Sequence, residues 1–572
     1  MAAVLVASWC VGILDRGYWT PDEPREADIA WRMSWQADKA VPLLAGEAFC
    51  EKPPFAYWVA GAAMRNFGSA AWAARLPNLL YAVITALGVG LLARRAAGSL
   101  AASAAAAAIA TFLLAYQTAI WLATDAPLLA AVSVALLGEY IGFYAVGRGE
   151  RLRGYLLMHA ALAVGFLSKS AAAWMVPALA FLTLVVWERR WREFMRWELY
   201  VGLLLPAAAI STWVWFVYVG VDGAAHLKVF FWNNLIGRFT SVAATADLQY
   251  ATGHRNSPGK YLLELPVYLW PWTLLAAAAA RRAWRTRRAP PDQRRAPRFA
   301  VAVFVPTLAL LSIAATARNI YLAPALPGIA LLLGWWAREA TADPDRWDLR
   351  ALRATALMLL IATITAAAVV ALIGWDAWDA IAAHARYVAV AAIGTAAAAS
   401  LALYAWRAAA RRRVAAALSA LLVCYGALLI FPASQAYQQV DRWQDLGAIG
   451  RAVRGDIGNR PLVLMAPDET TRAWVDLYTR ATVTRIEAPI DAAAVGRLIQ
   501  LLARTPRSAV LWQLPGRSET PQLHTLARRF GLDMAASAPA PMPAWLGAAH
   551  LQVVHRYALP HGRRYALLEP QR

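Results

Sequence analysis

Long apolar runs separated by short polar gaps fill the first three quarters of the chain. Most of these runs approach the roughly 20 residues that a helix needs to cross the hydrocarbon core of a bilayer. Thirteen runs can be distinguished, at approximately 1–14, 72–93, 99–121, 126–146, 155–168, 171–187, 199–220, 261–280, 299–316, 320–337, 354–375, 386–406 and 414–432. The pattern predicts a polytopic α-helical membrane protein with about 13 transmembrane helices in a domain that covers residues 1–432.

Three of the runs are short, so the count carries an error of about one helix. The runs 155–168 and 171–187 form two spans, one long kinked segment or a tight hairpin. The first run, 1–14, has no basic lead in front of it, and either begins upstream of the given start or is only partly inserted.

The pattern changes after residue 432, where the apolar runs shorten to strand length and polar residues return. The segments 461–466, 481–486 and 508–512 are typical of buried strands, and 469–480, 491–504 and 520–530 are typical of helices. This alternation predicts a soluble α/β domain over residues 433–572. It carries no phosphate-binding glycine loop and no nucleophile motif, so a lid or scaffold on the helical bundle is its simplest role.

Composition agrees with a membrane protein and argues against nucleic-acid binding. Hydrophobic residues make up 60% of the 572 residues, above the share of about 45–50% that is usual in soluble proteins. The net charge of +21 comes mainly from arginines in the gaps between apolar runs, a placement that reflects membrane orientation and contact with membrane lipids. The three cysteines do not form a disulfide framework.

The arginines also predict the orientation of the chain, because cytoplasmic loops gather Lys and Arg. If the first helix runs outward, every inner loop is basic. These loops contain Arg94 and Arg95; Arg148, Arg151 and Arg153; Arg189, Arg190, Arg192 and Arg196; residues 281–298; Arg338, Arg346 and Arg350; and Arg407 with Arg411, Arg412 and Arg413. The loops 15–70 and 221–260 and the C-terminal domain then lie on the outer face.

The first outer loop places two carboxylates, Asp22 and Glu23, between two prolines that stiffen the backbone. Polar residues that follow on a helical period, over 25–33, predict a short helix on the membrane surface. Asp22 is a candidate catalytic residue and Glu23 a secondary candidate, although Asp22 could instead cap this helix.

Further charged residues lie at the outer end of the predicted helical bundle, its mouth. Glu51 and Lys52 precede two prolines, and Lys52 either binds a substrate phosphate or extends toward lipid head groups. Asp125 and Lys169 lie in tight turns between spans, where Asp125 is a cap or a catalytic residue. Two arginines and a phenol at outer helix ends are further candidates for phosphate binding, with anchoring to anionic head groups as the alternative: Arg238, Arg318 and Tyr321.

This ordered set resembles the GT-C superfamily of membrane glycosyltransferases that use polyprenyl-phosphate sugars, the protein O-mannosyltransferase clan. Within the clan it is most similar to the bacterial transferases that add 4-amino-4-deoxy-L-arabinose to lipid A. The matching segments run in family order: Asp22-Glu23 with Ala27-Asp28-Ile29-Ala30; Glu51-Lys52-Pro53-Pro54 with Tyr57-Trp58; Ala73-Ala74-Arg75-Leu76-Pro77; Thr124-Asp125-Ala126-Pro127; Gly165-Phe166-Leu167-Ser168-Lys169; Gly237-Arg238-Phe239; and Tyr321-Leu322-Ala323-Pro324-Ala325-Leu326-Pro327.

The resemblance implies a periplasmic active site in the bacterial inner membrane and a sugar donor linked to undecaprenyl phosphate. It implies that Asp22, Glu51 and Asp125 act on the acceptor and the sugar, and that Lys52, Arg238, Arg318 and Tyr321 bind the donor phosphate. The acceptor is lipid A or, in an alternative, a protein, a glycan or another lipid. A lipid flippase is less compatible with charges gathered at one face.

Two departures from the family pattern bear on cofactors. Relatives often carry a histidine where this chain has Asn233 and Asn234, which weakens the case for a divalent metal shared with Glu51. Relatives usually carry a lysine before the position of Tyr321, where this chain has Arg318 and Asn319. The sequence therefore requires no cofactor and leaves a metal at Glu51 open.

Overall fold

The computed structural model describes residues 2–236, 259–314, 318–376, 385–514, 543–559 and 562–571. Its first three quarters are almost entirely helical. The α-helices there are α1 Ala2–Leu14, α2 Asp22–Trp35, α3 Phe55–Phe67, α4 Ala71–Ala97, α5 Ser99–Thr111, α6 Leu113–Ile120, α7 Asp125–Tyr144, α8 Arg148–Lys169, α9 Ala172–Glu188, α10 Trp197–Val201, α11 Leu204–Tyr218, α12 Gly223–Leu227, α13 Lys260–Tyr268, α14 Thr273–Arg285, α15 Pro291–Ile313, α16 Leu326–Ala342, α17 Arg346–Asp376, α18 Ala385–Ala410 and α19 Val414–Gln444. Short 3₁₀ helices cover Trp191–Met195, Thr286–Arg288 and Asn319–Ala325, and a π-helix covers Lys228–Ile236.

Among the described residues, seven helices are long and apolar enough to cross a membrane, and nine when two bent helix pairs are each counted as one span. Two shorter apolar helices, α1 and α9, lie below that length. The chain is therefore a multi-pass membrane protein.

The predicted spans 99–121 and 261–280 are each interrupted by a bend. The first breaks between α5 and α6 with a bend of 65°, and the second breaks between α13 and α14 with a bend of 112°. The two breaks meet, because the backbone N–H of Leu113 donates to the carbonyl of Trp270 at 3.1 Å. Each break frees backbone groups that cannot stay unpaired in an apolar bundle, and this bond pairs one group from each.

The C-terminal part contains a five-stranded mixed sheet. Its strands are β3 Leu462–Met465, β4 Val483–Ile486, β5 Ala509–Leu514, β6 Leu551–Ala558 and β7 Arg564–Pro570, and a hairpin of β1 Leu43–Leu44 and β2 Glu47–Ala48 lies in the first outer loop. The order is β4-β3-β5-β7-β6, with β3 parallel to β4 and β5 and with β7 antiparallel to both of its neighbours. The helices are α20 Gly447–Ile457, α21 Glu469–Thr479, α22 Ala492–Arg504 and α23 Trp545–Ala548.

Both faces of this sheet are covered, as expected for buried parallel strands. Alternate residues of β3 face opposite sides, so that Leu464 packs with Trp474 of α21 while Val463 packs with Leu498 of α22. The three predicted strands and the predicted helices 469–480 and 491–504 lie within about two residues of their expected bounds. The predicted helix 520–530 falls outside the described residues.

The first outer loop is held by the far end of the chain. The helix α19 continues beyond the predicted span 414–432 to Gln444. Near its end, the carboxylate of Asp441 accepts from the backbone N–H of Gly17 at 3.0 Å and from Nε1 of Trp19 at 2.5 Å. These bonds fix the turn that leads into α2.

The helix predicted over 25–33 is present as the longer α2. Most of its residues are buried, among them Glu23, Arg25, Glu26 and Asp28. The reason is that α21 packs directly on α2 and covers its polar face with polar partners of its own. Nη2 of Arg32, for example, lies 2.5 Å from Oδ1 of Asp476 in α21.

Candidate functional site

Glu23 lies at the centre of a closed, fully buried cluster. Each carboxylate oxygen accepts three hydrogen bonds, two from the guanidinium groups of Arg16 and Arg75 and one from a backbone N–H, of Trp19 or Leu122. Burial alone would raise the pKa of Glu23, but the two arginines outweigh it and lower the pKa to about 2. Every acceptor position is used, so Glu23 ties together α1, α2, α4 and the turn before α7.

Replacing Glu23 by glutamine should destabilise the fold, because two buried arginines then lose their counter-charge. Breaking a buried ion pair costs about 3–5 kcal/mol. Thermal unfolding in detergent measures this loss. Glu150→Gln is the matched control, since it removes a solvent-exposed pair with Arg95 and should cost no more than about 1 kcal/mol. A melting temperature for Glu23→Gln equal to that of Glu150→Gln would contradict the assignment.

The stabilisation by Glu23 also has a defined pH dependence. Because the pKa of Glu23 is lower in the folded chain than the usual 4.5, the stabilisation is fully present above pH 4.5 and is lost as the pH falls toward 2.

Asp22, the neighbour of Glu23, faces the outer mouth instead. Its side chain is 28% exposed and lies between two arginines. Oδ1 is 3.5 Å from Nη1 of Arg25, and Oδ2 is 3.5 Å from Nη1 of Arg318. Pro21 occupies the cap position of α2, and no side chain makes a capping hydrogen bond there. Asp22 therefore does not have the capping role that the sequence left open.

Lys52 pairs with Glu26 of α2, one helical turn after Asp22. Burial lowers the pKa of Lys52, but attraction to Glu26 outweighs burial and leaves the pKa raised, so the ammonium is charged. In the sequence, Glu51 is the carboxylate next to Lys52. Among the residues that the structure describes, Glu51 has no hydrogen bond or ion pair.

A third pair joins the two turns that the sequence singled out. Nζ of Lys169 binds Oδ1 of Asp125 and lies 4.9 Å from the centre of the Tyr321 ring. Asp125 is the first residue of α7, and no side chain caps that helix. Lys169 ends α8, and Tyr321 lies in the 3₁₀ helix Asn319–Ala325. Three separate segments thus bring a carboxylate, an ammonium and a phenol together.

A narrow cleft lies between Glu26 and the turn that leads into α7. Its wall includes Glu26, Tyr57, Asn78 and Tyr81, and it extends to Ala123 and Pro127 on either side of Asp125. Within the described part of the chain, the buried hydroxyl of Tyr81 has no hydrogen-bond partner, and the hydroxyl of Tyr57 lies close to Glu26. The cleft therefore offers polar groups between the Lys52–Glu26 pair and the turn that carries Asp125.

The chemistry of the mouth follows from these pairings. Each cation there, Lys52, Lys169 or Arg318, is held by a carboxylate, and a phosphate dianion can replace that carboxylate as partner. Arginine and lysine differ in this role, because guanidinium binds phosphate in a bidentate manner and ammonium acts as a point charge. The mouth can thus hold an anionic group beside carboxylates that are free to contact hydroxyl or amino groups.

The two remaining predicted elements of the site are Arg238 and a metal bound at Glu51. Arg238 lies outside the described residues. For the metal, Glu51 was the candidate ligand, but the described residues contain no group of three His, Cys, Asp or Glu side chains that could hold an ion. Asn234 lies close to this loop, where its Nδ2 donates to the carbonyl of Cys50 at 2.9 Å. Within the described ranges, Glu51 therefore has no further carboxylate, histidine or cysteine ligands grouped with it.

Sequence reasoning missed Glu26, Arg25 and Glu469 as parts of the site. Arg25 is buried, and its Nη2 lies 2.7 Å from Oε2 of Glu469, the first residue of α21. Glu26 follows Asp22 by four residues, a spacing that places both on one side of a helix and could have identified it. No local signal connects Glu469 with this loop.

Comparisons with known proteins confirm the resemblance. Residues 51–216 match the family model of dolichyl-phosphate-mannose-protein mannosyltransferase. Among curated proteins, the chain is 31% identical to an undecaprenyl phosphate-alpha-4-amino-4-deoxy-L-arabinose arabinosyl transferase of Pseudomonas aeruginosa, over 57% of each chain. It is 28% identical to the transferase of that name from Edwardsiella ictaluri, over 63% of this chain and 62% of that protein. The chain thus spans about three fifths of these relatives' length.

The fold has a counterpart in a solved structure. The crystal structure of ArnT from Cupriavidus metallidurans bound to undecaprenyl phosphate matches with a TM-score of 0.68 at 18% identity, over 99% of this chain and 97% of that one. The apo form of the same protein also matches with a TM-score of 0.68. The chain therefore has the fold of that protein and is similar in sequence to aminoarabinose transferases.

Proposed function

We propose that this protein is a membrane glycosyltransferase that moves 4-amino-4-deoxy-L-arabinose from undecaprenyl phosphate to lipid A at the periplasmic face. The observation that carries the proposal is the gathering of three cation–carboxylate pairs, Lys52–Glu26, Lys169–Asp125 and Arg318–Asp22, at one mouth of the bundle. Relatives whose names state this transfer, and a similar fold solved with undecaprenyl phosphate bound, support the choice of donor.

The donor phosphate needs cations, because it is the leaving group and departs from the sugar as an anion. The bond between the anomeric carbon and the phosphate oxygen breaks, and the electron pair stays on the phosphate without protonation. Lys52 and Arg238 are assigned to this phosphate, with Arg318 and Tyr321 as further contacts. On arrival, the phosphate takes over Lys52 from Glu26, and positioned cations then stabilise the charge that develops.

The acceptor oxygen must be oriented toward the anomeric carbon, because it forms the new bond to that atom. Asp22 is assigned to orient or deprotonate the acceptor, since it is partly exposed and does not cap its helix. A lipid A phosphate already carries negative charge, in which case orientation matters more than proton removal. Asp125 and Glu51 are assigned to hydroxyl and amino groups of the sugar, because carboxylates suit a cationic aminosugar.

The proposal includes the topology. Thirteen spans result when the two short apolar helices and the helices α8 and α18 are added to the nine that length and composition select. Basic loops on the other side then place Asp22, Lys52, Asp125 and Arg318 on the periplasmic face, with an α/β domain over residues 433–572 beside them. The whole mouth would face the compartment in which lipid A is exposed.

Mass spectrometry of lipid A tests the function in cells. Cells that make the protein, together with the lipid-linked aminoarabinose donor, should contain lipid A with an added aminoarabinose, and cells that lack the protein should not. If lipid A is unchanged while another lipid, a glycan or a protein gains the sugar, the transferase stands and the acceptor is wrong. If no molecule gains the sugar, the proposal fails in favour of a transporter.

A further inference from the structure

The N-terminus of helix α21, in the C-terminal part of the chain, lies against the turn that carries Asp22. Oγ1 of Thr470 donates to the carbonyl of Pro21 at 3.0 Å, across 449 residues of sequence. The start of α21 is itself well fixed. Asp468 caps it by accepting from the N–H of Thr471 at 2.8 Å, and the same carboxylate lies 2.5 Å from Nη1 of Arg563. A rigid element thus contacts the backbone directly before Asp22.

Arg25 connects this element to Asp22 itself. Its side chain is only 6% exposed, and its two terminal nitrogens point to different carboxylates. Nη2 is 2.7 Å from Oε2 of Glu469, whereas Nη1 is 3.5 Å from Oδ1 of Asp22. Because the guanidinium is planar and its nitrogens are fixed relative to one another, the close ion pair with Glu469 constrains where Nη1 meets Asp22.

Charge supports the same arrangement. Glu469 lies within electrostatic reach of Lys52 and Glu51 as well as Arg25. Arg25 disfavours the charged form of Lys52, which shows that the two cations are close enough to repel. Glu469 offsets the charge of Arg25 at this point. Without it, Arg25 loses a carboxylate at 2.7 Å, and the balance of charge between Arg25 and Arg318 around Asp22 shifts.

We propose that Glu469 is a positioning residue of the active site, which holds Arg25 and through it the orientation of Asp22. The C-terminal part of the chain is then more than the lid or scaffold that its sequence suggested, because it supplies a side chain that acts on the reaction. This inference rests on the proposed transferase function.

The chain offers a matched control at the same interface. Glu47 in β2 is 61% exposed and pairs with Arg472 of α21 and Arg485 of β4, so it also joins the outer loop to the C-terminal part. Among the described residues, Glu47 makes no ion pair with Arg25, Asp22, Lys52 or Asp125. Glu47→Gln removes interface charge of the same sign without touching Arg25.

The test measures steady-state transfer with purified full-length protein, lipid-linked aminoarabinose and lipid A. Glu469→Gln should lower kcat about 10- to 100-fold through misplacement of Asp22, with the donor KM changed no more than about threefold. Glu47→Gln should keep kcat within about twofold of wild type, and both variants should have similar melting temperatures. In an Arg25→Gln background, Glu469→Gln should lower kcat no further, because Glu469 acts through the Arg25 side chain that is already absent.

Other outcomes overturn the inference. A kcat for Glu469→Gln equal to that of Glu47→Gln would show that Glu469 has no positioning role. Losses of kcat that multiply in the Arg25→Gln, Glu469→Gln double variant would show that Glu469 does not act through Arg25. If Glu469→Gln does not fold, Thr470→Val takes its place and should lower kcat about threefold, with an unchanged rate counting against the proposal. Absence of transfer by the wild-type protein would refute the proposed function itself, which separates the two failures.

Discussion

Asp22→Asn should lower kcat for sugar transfer by about 10²–10⁴-fold, the range expected when a positioned carboxylate that activates an acceptor is lost. The change keeps the shape of the side chain and removes its charge. Asp22 makes no capping bond and is 28% exposed, so the variant should fold and insert like wild type. Transfer from the lipid-linked donor to lipid A in detergent, followed by chromatography of the lipids, measures the rate.

A matched control exists for this variant. Asp222 lies in the second outer loop with a left-handed backbone that asparagine also adopts, and it is exposed. Asp222→Asn should therefore keep the wild-type rate. If Asp22→Asn transfers sugar within a few-fold of Asp222→Asn, the role assigned to Asp22 is wrong.

Lys52→Met should have the second large effect, a loss of about 10²–10³-fold in kcat/KM for the donor, because a fixed cation at the leaving phosphate is removed. Methionine keeps much of the length of the side chain. The loss also leaves Glu26 unpaired beside the phosphate, which adds repulsion. Varying the donor concentration with the same chromatographic assay separates kcat from KM.

Lys228→Met controls for general loss of positive charge at this face. Lys228 is exposed in the second outer loop and is not part of the three pairs at the mouth. Its replacement should leave kcat/KM within about twofold of wild type. Equal values for Lys52→Met and Lys228→Met would show that Lys52 does not bind the donor.

The positions of the helices could be predicted from the sequence because spanning a bilayer imposes length and apolarity directly. Nearly every predicted span overlaps a helix in the described part of the chain, and the main errors are the breaks at Phe112 and near Trp270. Those breaks depend on one another through a bond between residues far apart in sequence. Hydropathy carries no information about such a bond.

The roles of adjacent charged residues could not be predicted in the same way. Asp22 and Glu23 look equivalent in the sequence, yet neighbours on a helix point about 100° apart. One therefore faces the mouth, and the other enters the cluster with Arg16 and Arg75. The partner of Lys52 also could not be predicted, because Glu26 lies 26 residues away in the sequence whereas Glu51 is the immediate neighbour of Lys52.

The side chain that the C-terminal part brings to the site was even harder to predict from the sequence. Three of the five strands and two of the helices in this part were predicted from local patterns, since alternation and helical period are local properties, whereas β6 and β7 were not predicted. That Glu469 of α21 meets Arg25 of α2 depends on how two separately folded segments pack. The sequence predicted a lid or scaffold for this domain, and the side chain that it brings to the site follows only from packing.

The most direct test of the central claim is one reconstituted reaction with two products measured together. Wild-type protein in liposomes, supplied with undecaprenyl-phosphate-linked aminoarabinose and lipid A, should release free undecaprenyl phosphate and form aminoarabinose-modified lipid A in equal amounts. The reaction should depend on both substrates. Undecaprenyl phosphate that stays fully sugar-linked while lipid A stays unmodified, in a preparation shown to be folded, would contradict the claim.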